Sequence, residues 1–252
     1  MSRAKSEIEA YRSGNHVKNR ASHQSLFEYL YNTPNSLREM DDFEDFIKAN
    51  VVGGSVLEVG CGTGRNCRRL IELGAKEVHG VDISPDMLEV ARRQERNPNI
   101  HFYEHDIHVP FKASFDLIVG RAVLHHVDYQ SALRSLYDSL NPGGVMTFAE
   151  PLGSNLIMRV YWRHGSQFHT PDERPFYTHD LAWIKQNFKE FHYDSYNYIT
   201  LPIAIILHFF YHDPDNFVTR LCDSLDQCLL RSITMLKPRG RSAIFYFTKP
   251  SA

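Results

Sequence analysis

A strand-like run early in the 252-residue chain ends in an acid and opens into three closely spaced glycines: Val56-Leu57-Glu58-Val59-Gly60-Cys61-Gly62-Thr63-Gly64. Glycine lets a backbone turn sharply and lets a ligand approach where a Cβ would otherwise stand. Two details narrow the ligand. A dinucleotide fingerprint needs its third glycine three residues after the second, and Arg65 holds that place. Glu58, at the strand end beside the loop, would repel a pyrophosphate but can pair with an ammonium. No Walker-type lysine follows the loop. The pattern suits a nucleoside that carries an amino acid rather than a phosphate.

Two more acids extend it. Asp82 closes the run Gly80-Val81-Asp82-Ile83-Ser84, 18 residues after Gly64. An acid about 20 residues beyond a glycine loop is placed to accept ribose hydroxyls. Asp106 follows a further apolar run and is a candidate acceptor for the adenine amine, with Ile83, Met87 and Ile107 as walls for the ring. Taken singly, Asp82 also reads as a helix N-terminal acid and Asp106 as a loop acid.

Positioning these residues takes alternating elements. Strands are expected at Ser55–Val59, Glu77–Val81, Ile100–Glu104, Phe115–Val119 and Val145–Ala149, with helices at Cys67–Leu73, Pro85–Arg96 and Ser131–Leu140. Ser84 is the expected N-cap before Pro85, and Asn141-Pro142-Gly143-Gly144 is a turn signal. Such alternation implies a doubly wound parallel sheet, with its binding crevice at the carboxyl ends of the strands. Residues 1–50 read as a polar helical cap broken at Asn32-Thr33-Pro34-Asn35, residues 51–150 as the core, and residues 151–252 as a lid insertion, two closing strands and an apolar helical insertion. The closing strands are expected at Phe191–Thr200 and Ser242–Thr248, with the apolar stretch 201–236 between them.

The series Glu58-Val59-Gly60-Cys61-Gly62-Thr63-Gly64, Val81-Asp82-Ile83-Ser84, His105-Asp106-Ile107, Phe115-Asp116-Leu117-Ile118-Val119 and Leu140-Asn141-Pro142-Gly143-Gly144 resembles the class I S-adenosylmethionine (SAM)-dependent methyltransferase superfamily, in its small-molecule branch. The resemblance covers residues 51–150. It implies an α/β fold with a Rossmann-like seven-stranded sheet whose last strand is antiparallel, and SAM as cofactor. The expected cofactor residues are Glu58, Gly60, Cys61, Gly62, Thr63, Gly64, Asn66, Asp82, Ile83, Met87, Asp106, Ile107 and Arg121. The expected reaction moves a methyl group to an O, N or C atom of a small metabolite, a lipophilic acceptor being one reading. Binding of SAM without transfer is the alternative, and nucleic-acid methylation a further one.

Methyl transfer needs a base only if the acceptor arrives protonated. His125 and His126 follow the fourth strand, and the resemblance places a Leu-His-His segment near the active site; an imidazole suits a proton acceptor. Their other reading is packing under the sheet and helix capping. Glu150 ends the fifth strand and borders the crevice, or hydrogen-bonds the insertion. His169, Arg174 and Tyr177 in the insertion either bind substrate or hold the insertion shut. Tyr29 is read as closing over the methionine end of SAM or as a capping-helix aromatic.

The balance of the whole chain limits partners. A formal net charge of −2 supplies no field for nucleic acid. Four cysteines with no Cys-x-x-Cys pair suggest a reducing cytoplasm. His101, His105 and His108 lack a zinc site's partner spacing, so no metal is expected. The apolar run Ile199–Tyr211, 13 residues long, is too short for a transmembrane segment. Its two readings are a packed helical subdomain and an apolar pocket or peripheral membrane patch.

Overall fold

The computed structural model describes residues 24–164 and 173–251. Two helices open the described chain, α1 (Gln24–Tyr31) and α2 (Pro34–Asn50). The alternation follows: β1 (Ser55–Val59), α3 (Arg65–Glu72), β2 (Glu77–Asp82), α4 (Pro85–Gln94), β3 (Ile100–Glu104), β4 (Phe115–Arg121), a 3-10 turn (Leu124–His126), α5 (Tyr129–Asp138) and β5 (Leu140–Pro151). The remainder is α6 (Leu156–His164), α7 (Thr178–Asn187), β6 (Phe191–Tyr196), α8 (Thr200–Leu207), α9 (Phe217–Ser232) and β7 (Ser242–Thr248).

The seven strands form one α/β, Rossmann-like sheet in the order β3-β2-β1-β4-β5-β7-β6. β1 pairs in parallel with both β2 and β4, so the order reverses at β1 and β4. That reversal opens a crevice beyond their carboxyl ends. β7 is antiparallel to its neighbour: Gly143 N–H donates to the Lys249 carbonyl and Leu152 N–H to the Arg241 carbonyl. Leu117, Ile118, Val119 and Gly120 of β4 are all buried, as a strand covered on both faces requires. Each fully buried Leu or Ile here contributes about 1.5–3 kcal/mol.

By compactness the chain divides into two units, each discontinuous in sequence. The first draws on Met1–Phe43, Glu150–Trp183 and Tyr193–Ile244; the second on Glu44–Ala149, Ile184–His192 and Phe245–Ala252. In the first unit, Leu201 and Ala204 of α8 pack with Tyr29 and Leu30 of α1, joined by Ile157 and Met158 of α6.

Several expected boundaries move for local reasons. α5 begins at Tyr129, ahead of the expected Ser131, because the Asp128 side chain accepts the Gln130 N–H at 3.4 Å. The turn signal Asn141–Gly144 lies inside β5 as an irregularity, with Gly143 at φ 80° and the register of β4 against β5 shifting between Phe115 and Leu117. β6 stops at Tyr196 rather than Thr200, where Asn197 takes φ 62°. The buried Asp226 carboxylate then accepts the N–H groups of Tyr198, Ile199 and Thr200 at 3.1, 2.6 and 3.1 Å. That turns the chain into α8. The stretch 201–236 holds two helices, α8 and α9, and α6 lies in the segment read as a lid insertion.

Candidate active site

β1 delivers Glu58 to the carboxyl end of the sheet, 7% exposed, and the loop that follows bends through Gly60 (φ 68°), Gly62 (φ 51°) and Gly64 (φ 78°). The last glycine packs: a Cβ at Gly64 would stand 2.5 Å from the Phe102 ring of β3. At Gly62 the opposite holds, since nothing lies within 4 Å of where its Cβ would be. The loop therefore closes on the protein at one glycine and offers bare backbone to a ligand at another. Burial pushes the Glu58 carboxyl up to about 7, against hydrogen bonds from Cys67 and Asn66 that pull it down.

Asp82 ends β2 and braces this loop. One of its oxygens accepts the Gly62 N–H at 2.8 Å, the other the Ser84 N–H at 2.9 Å. A carboxylate offers about four lone-pair sites, so both oxygens retain capacity for a ligand's hydroxyls. Ser84 caps α4 as expected, its Oγ accepting the Met87 N–H at 3.4 Å.

Asp106, beyond β3, is exposed and makes a 2.5 Å contact with His108 Nδ1 and a 3.0 Å one with the His108 N–H. Burial raises its carboxyl, but the amide and ring of His108 outweigh that and hold it below its ordinary value. Ile107 beside it is buried at 6%, and Ile83 and Met87 are half-buried.

The end of β4 carries Arg121, exposed, and then Ala122 at φ 54°. A non-glycine residue there costs of order 1–3 kcal/mol. Ala122 N–H donates to the Ala149 carbonyl at 2.9 Å, which holds the bend. His125 and His126 follow on the 3-10 turn, their ring centroids 4.0 Å apart, with His125 buried.

The remaining candidates lie in the first unit. Glu150 is 1% exposed near the end of β5. Arg174 forms a two-point pair with Asp180 at 3.0 and 2.8 Å, and Asp180 also accepts the Tyr177 N–H at 2.8 Å. Tyr177 lines a cleft of about 800 Å³ with Arg159, Trp162, Arg163 and His179. Tyr29 is 5% exposed in the α1–α8 cluster, where its hydroxyl donates to the Asp213 carbonyl at 3.3 Å. His169 lies outside the described residues.

Residues 56–144 match the family model described as "Methyltransferase domain". Over those residues the chain is similar to class I SAM-dependent methyltransferases. Relatives of this chain include a malonyl-[acyl-carrier protein] O-methyltransferase of Enterobacter lignolyticus, 37% identical over 112 residues, covering 43% of this chain and 43% of that protein. An aklanonic acid methyltransferase of a Streptomyces species is 38% identical over 114 residues, covering 42% of this chain and 52% of that protein. The chain thus spans about half the length of the curated relatives it matches. In fold it is similar to phosphoethanolamine N-methyltransferase 2 of Haemonchus contortus, solved with SAM: TM-score 0.61, 18% identity, 90% of this chain and 56% of that one.

SAM is the cofactor of that superfamily, and residues of this chain fit it. The loop leaves open space over Gly62, Glu58 precedes it and Asp82 braces it, and Ile107 lies buried next to the exposed Asp106. Two contributors were not singled out by their positions in sequence. One is Ala122, whose φ nothing in the residue type announces. The other is Phe102, which faces Gly64 only because β3 lies beside β2.

Proposed function

We propose that this chain binds SAM at the carboxyl ends of β1, β2 and β3 and transfers its methyl group to an O, N or C atom of a small molecule. The observation that carries this reading is the loop itself: a buried carboxyl at Glu58, a left-handed glycine with open space above it, and a second acid pinned beneath. Bound there, SAM supplies a methyl group on a positively charged sulfur.

Glu58 then pairs with the amino-acid ammonium, while Gly60, Cys61, Gly62, Thr63 and Gly64 lie along the ligand with Asn66 steadying Glu58. Asp82 accepts from the ribose hydroxyls. Asp106 accepts from the adenine amine between Ile83, Met87 and Ile107, and Arg121 closes the strand-end rim. His125 or His126 receives the acceptor's proton where one must leave, and Glu150 is a further candidate base for that role. Alignment rather than strong base chemistry supplies most of the rate, since well-oriented reactants recover about 7–11 kcal/mol of the barrier.

Within the first unit, a cleft combines two arginines with aromatic walls. That lining suits a small molecule with an apolar body and a negative group, in keeping with a relative named for aklanonic acid. The test is incubation with methyl-labelled SAM and the small-molecule fraction of a cell extract. Label should enter a small product, and Gly62→Ala should reduce both that product and S-adenosylhomocysteine affinity by about tenfold or more, because its Cβ enters the ligand's space. Binding of S-adenosylhomocysteine with no labelled product in any fraction would leave a cofactor-binding protein without transfer.

A further inference from the structure

Glu58 has no side chain opposite it on β2. Its register partner is Gly80, and Gly80 in turn pairs with Phe102 of β3. A Cβ at Gly80 would stand 2.7 Å from Cys67 Sγ, 2.9 Å from the Phe102 ring and 3.0 Å from Cys61 Sγ. The glycine therefore leaves a gap beside the carboxyl, and two sulfurs fill it. Cys61 comes from the loop and Cys67 from the first turns of α3.

The two thiols differ in what they do there. Cys61 Sγ makes a long 3.9 Å contact with the Gly62 carbonyl and hydrogen-bonds the Cys67 thiol. Cys67 is completely buried and its thiol donates to Glu58 Oε2 at 2.7 Å. The other polar groups facing Glu58 are Asn66 of α3, which hydrogen-bonds it, and Asp82 of β2, whose charge opposes its ionisation. On the β4 side the register partner is Val119, which carries no charge. A thiol has one proton to give. Contact with Cys61, burial and the Glu58 charge all push the Cys67 thiol upward, so it stays protonated, and a donor, throughout the range in which Glu58 titrates. The burial that makes the thiol inert as a nucleophile makes it dependable as a donor.

We infer that Cys67 is a positioning residue of the cofactor site: its thiol, seated in the gap over Gly80, donates to Glu58 and holds that carboxylate in one orientation for the ammonium of the bound cofactor. This rests on the SAM reading given above. A donor to the ionised carboxylate also favours that form, so Cys67 helps set the pH at which the loop becomes competent.

The experiment is calorimetric titration with S-adenosylhomocysteine between about pH 5.5 and 8.5, for the parent chain, Cys67→Ala and Cys67→Ser. For the parent, affinity should rise with pH and level off above a midpoint near 7. Cys67→Ala should move that midpoint upward and weaken binding several-fold at neutral pH, with the curves converging at the alkaline end. Cys67→Ser, which keeps a donor, should restore the midpoint. A folded Cys67→Ala protein with the parent's midpoint, or with affinity lowered equally at every pH, would show a packing residue only and overturn the inference. If the parent binds no S-adenosylhomocysteine at any pH, the SAM reading fails separately. The contact is then read from the carbon-13 carboxyl resonance of Glu58 in the unliganded chain, whose midpoint must still rise in Cys67→Ala for the thiol's role to stand.

Discussion

Glu58 sets function against stability within a single side chain. An exposed glutamate titrates near 4.5, and burial raises this one to about 7. Between those values the folded chain holds a proton that the unfolded chain has released. Stability therefore falls as pH rises through that window, by up to about 3 kcal/mol once Glu58 is ionised in the folded state. Glu58→Gln should remove the loss: the variant should be more stable than the parent at pH 8 by a few kcal/mol, and close to it at pH 5. Denaturant unfolding at both pH values reads this directly, and equal gains at both would refute it. The same variant should lose cofactor affinity, because an amide cannot neutralise an ammonium. Glu58 and its glycines were legible from residue type, since an acid before a three-glycine turn has few alternative uses. Cys67 was not, because its link to Glu58 depends on Gly80 being the register partner across the sheet.

At the scale of elements, short polar contacts decide where helices begin. Asp128 and Ser84 were readable as caps in principle, since Asp and Ser accept from N–H groups two or three residues on. Asp226 was not readable. It sits within α9, yet it serves Tyr198, Ile199 and Thr200, at least 26 residues away, and so joins the start of α8 to α9. Burial raises its carboxyl and those N–H groups pull it back. Asp226→Ala would leave three donors, one buried and two part-buried, without that acceptor, each costing of order 1 kcal/mol. The expected loss is about 3 kcal/mol, seen as a lower midpoint in urea, with Asp226→Asn losing less. An unchanged midpoint would mean that α8 is fixed by its apolar contacts with Tyr29 and Leu30 alone.

For the molecule as a whole, the two compact units are interleaved in sequence, so neither is a contiguous half of the chain. The apolar stretch beyond β6 illustrates how burial divides one run. Leu201 and Ala204 are buried, whereas Ile206, Phe209 and Phe210 are 55%, 74% and 76% exposed. Among the described residues no helix is long and apolar enough to cross a membrane. Exposed side chains contribute little to folding, so Phe209→Ser together with Phe210→Ser should change unfolding free energy by less than about 1 kcal/mol. Thermal denaturation checks this, and a large drop in midpoint would show that these rings are covered in solution.

The amino-acid sequence alone determined the alternation of strands and helices, the glycine loop with its three acids, and through them the class of ligand. Those features are local: apolar periodicity, backbone freedom and charge act over a few residues. Tertiary structure decided what depends on distant segments meeting. It placed Phe102 against Gly64, seated two sulfurs over Gly80, and paired Arg174 with Asp180. It also set Tyr29 in an apolar cluster. Such contacts follow from strand register and helix packing, which a linear pattern of residue types only partly specifies.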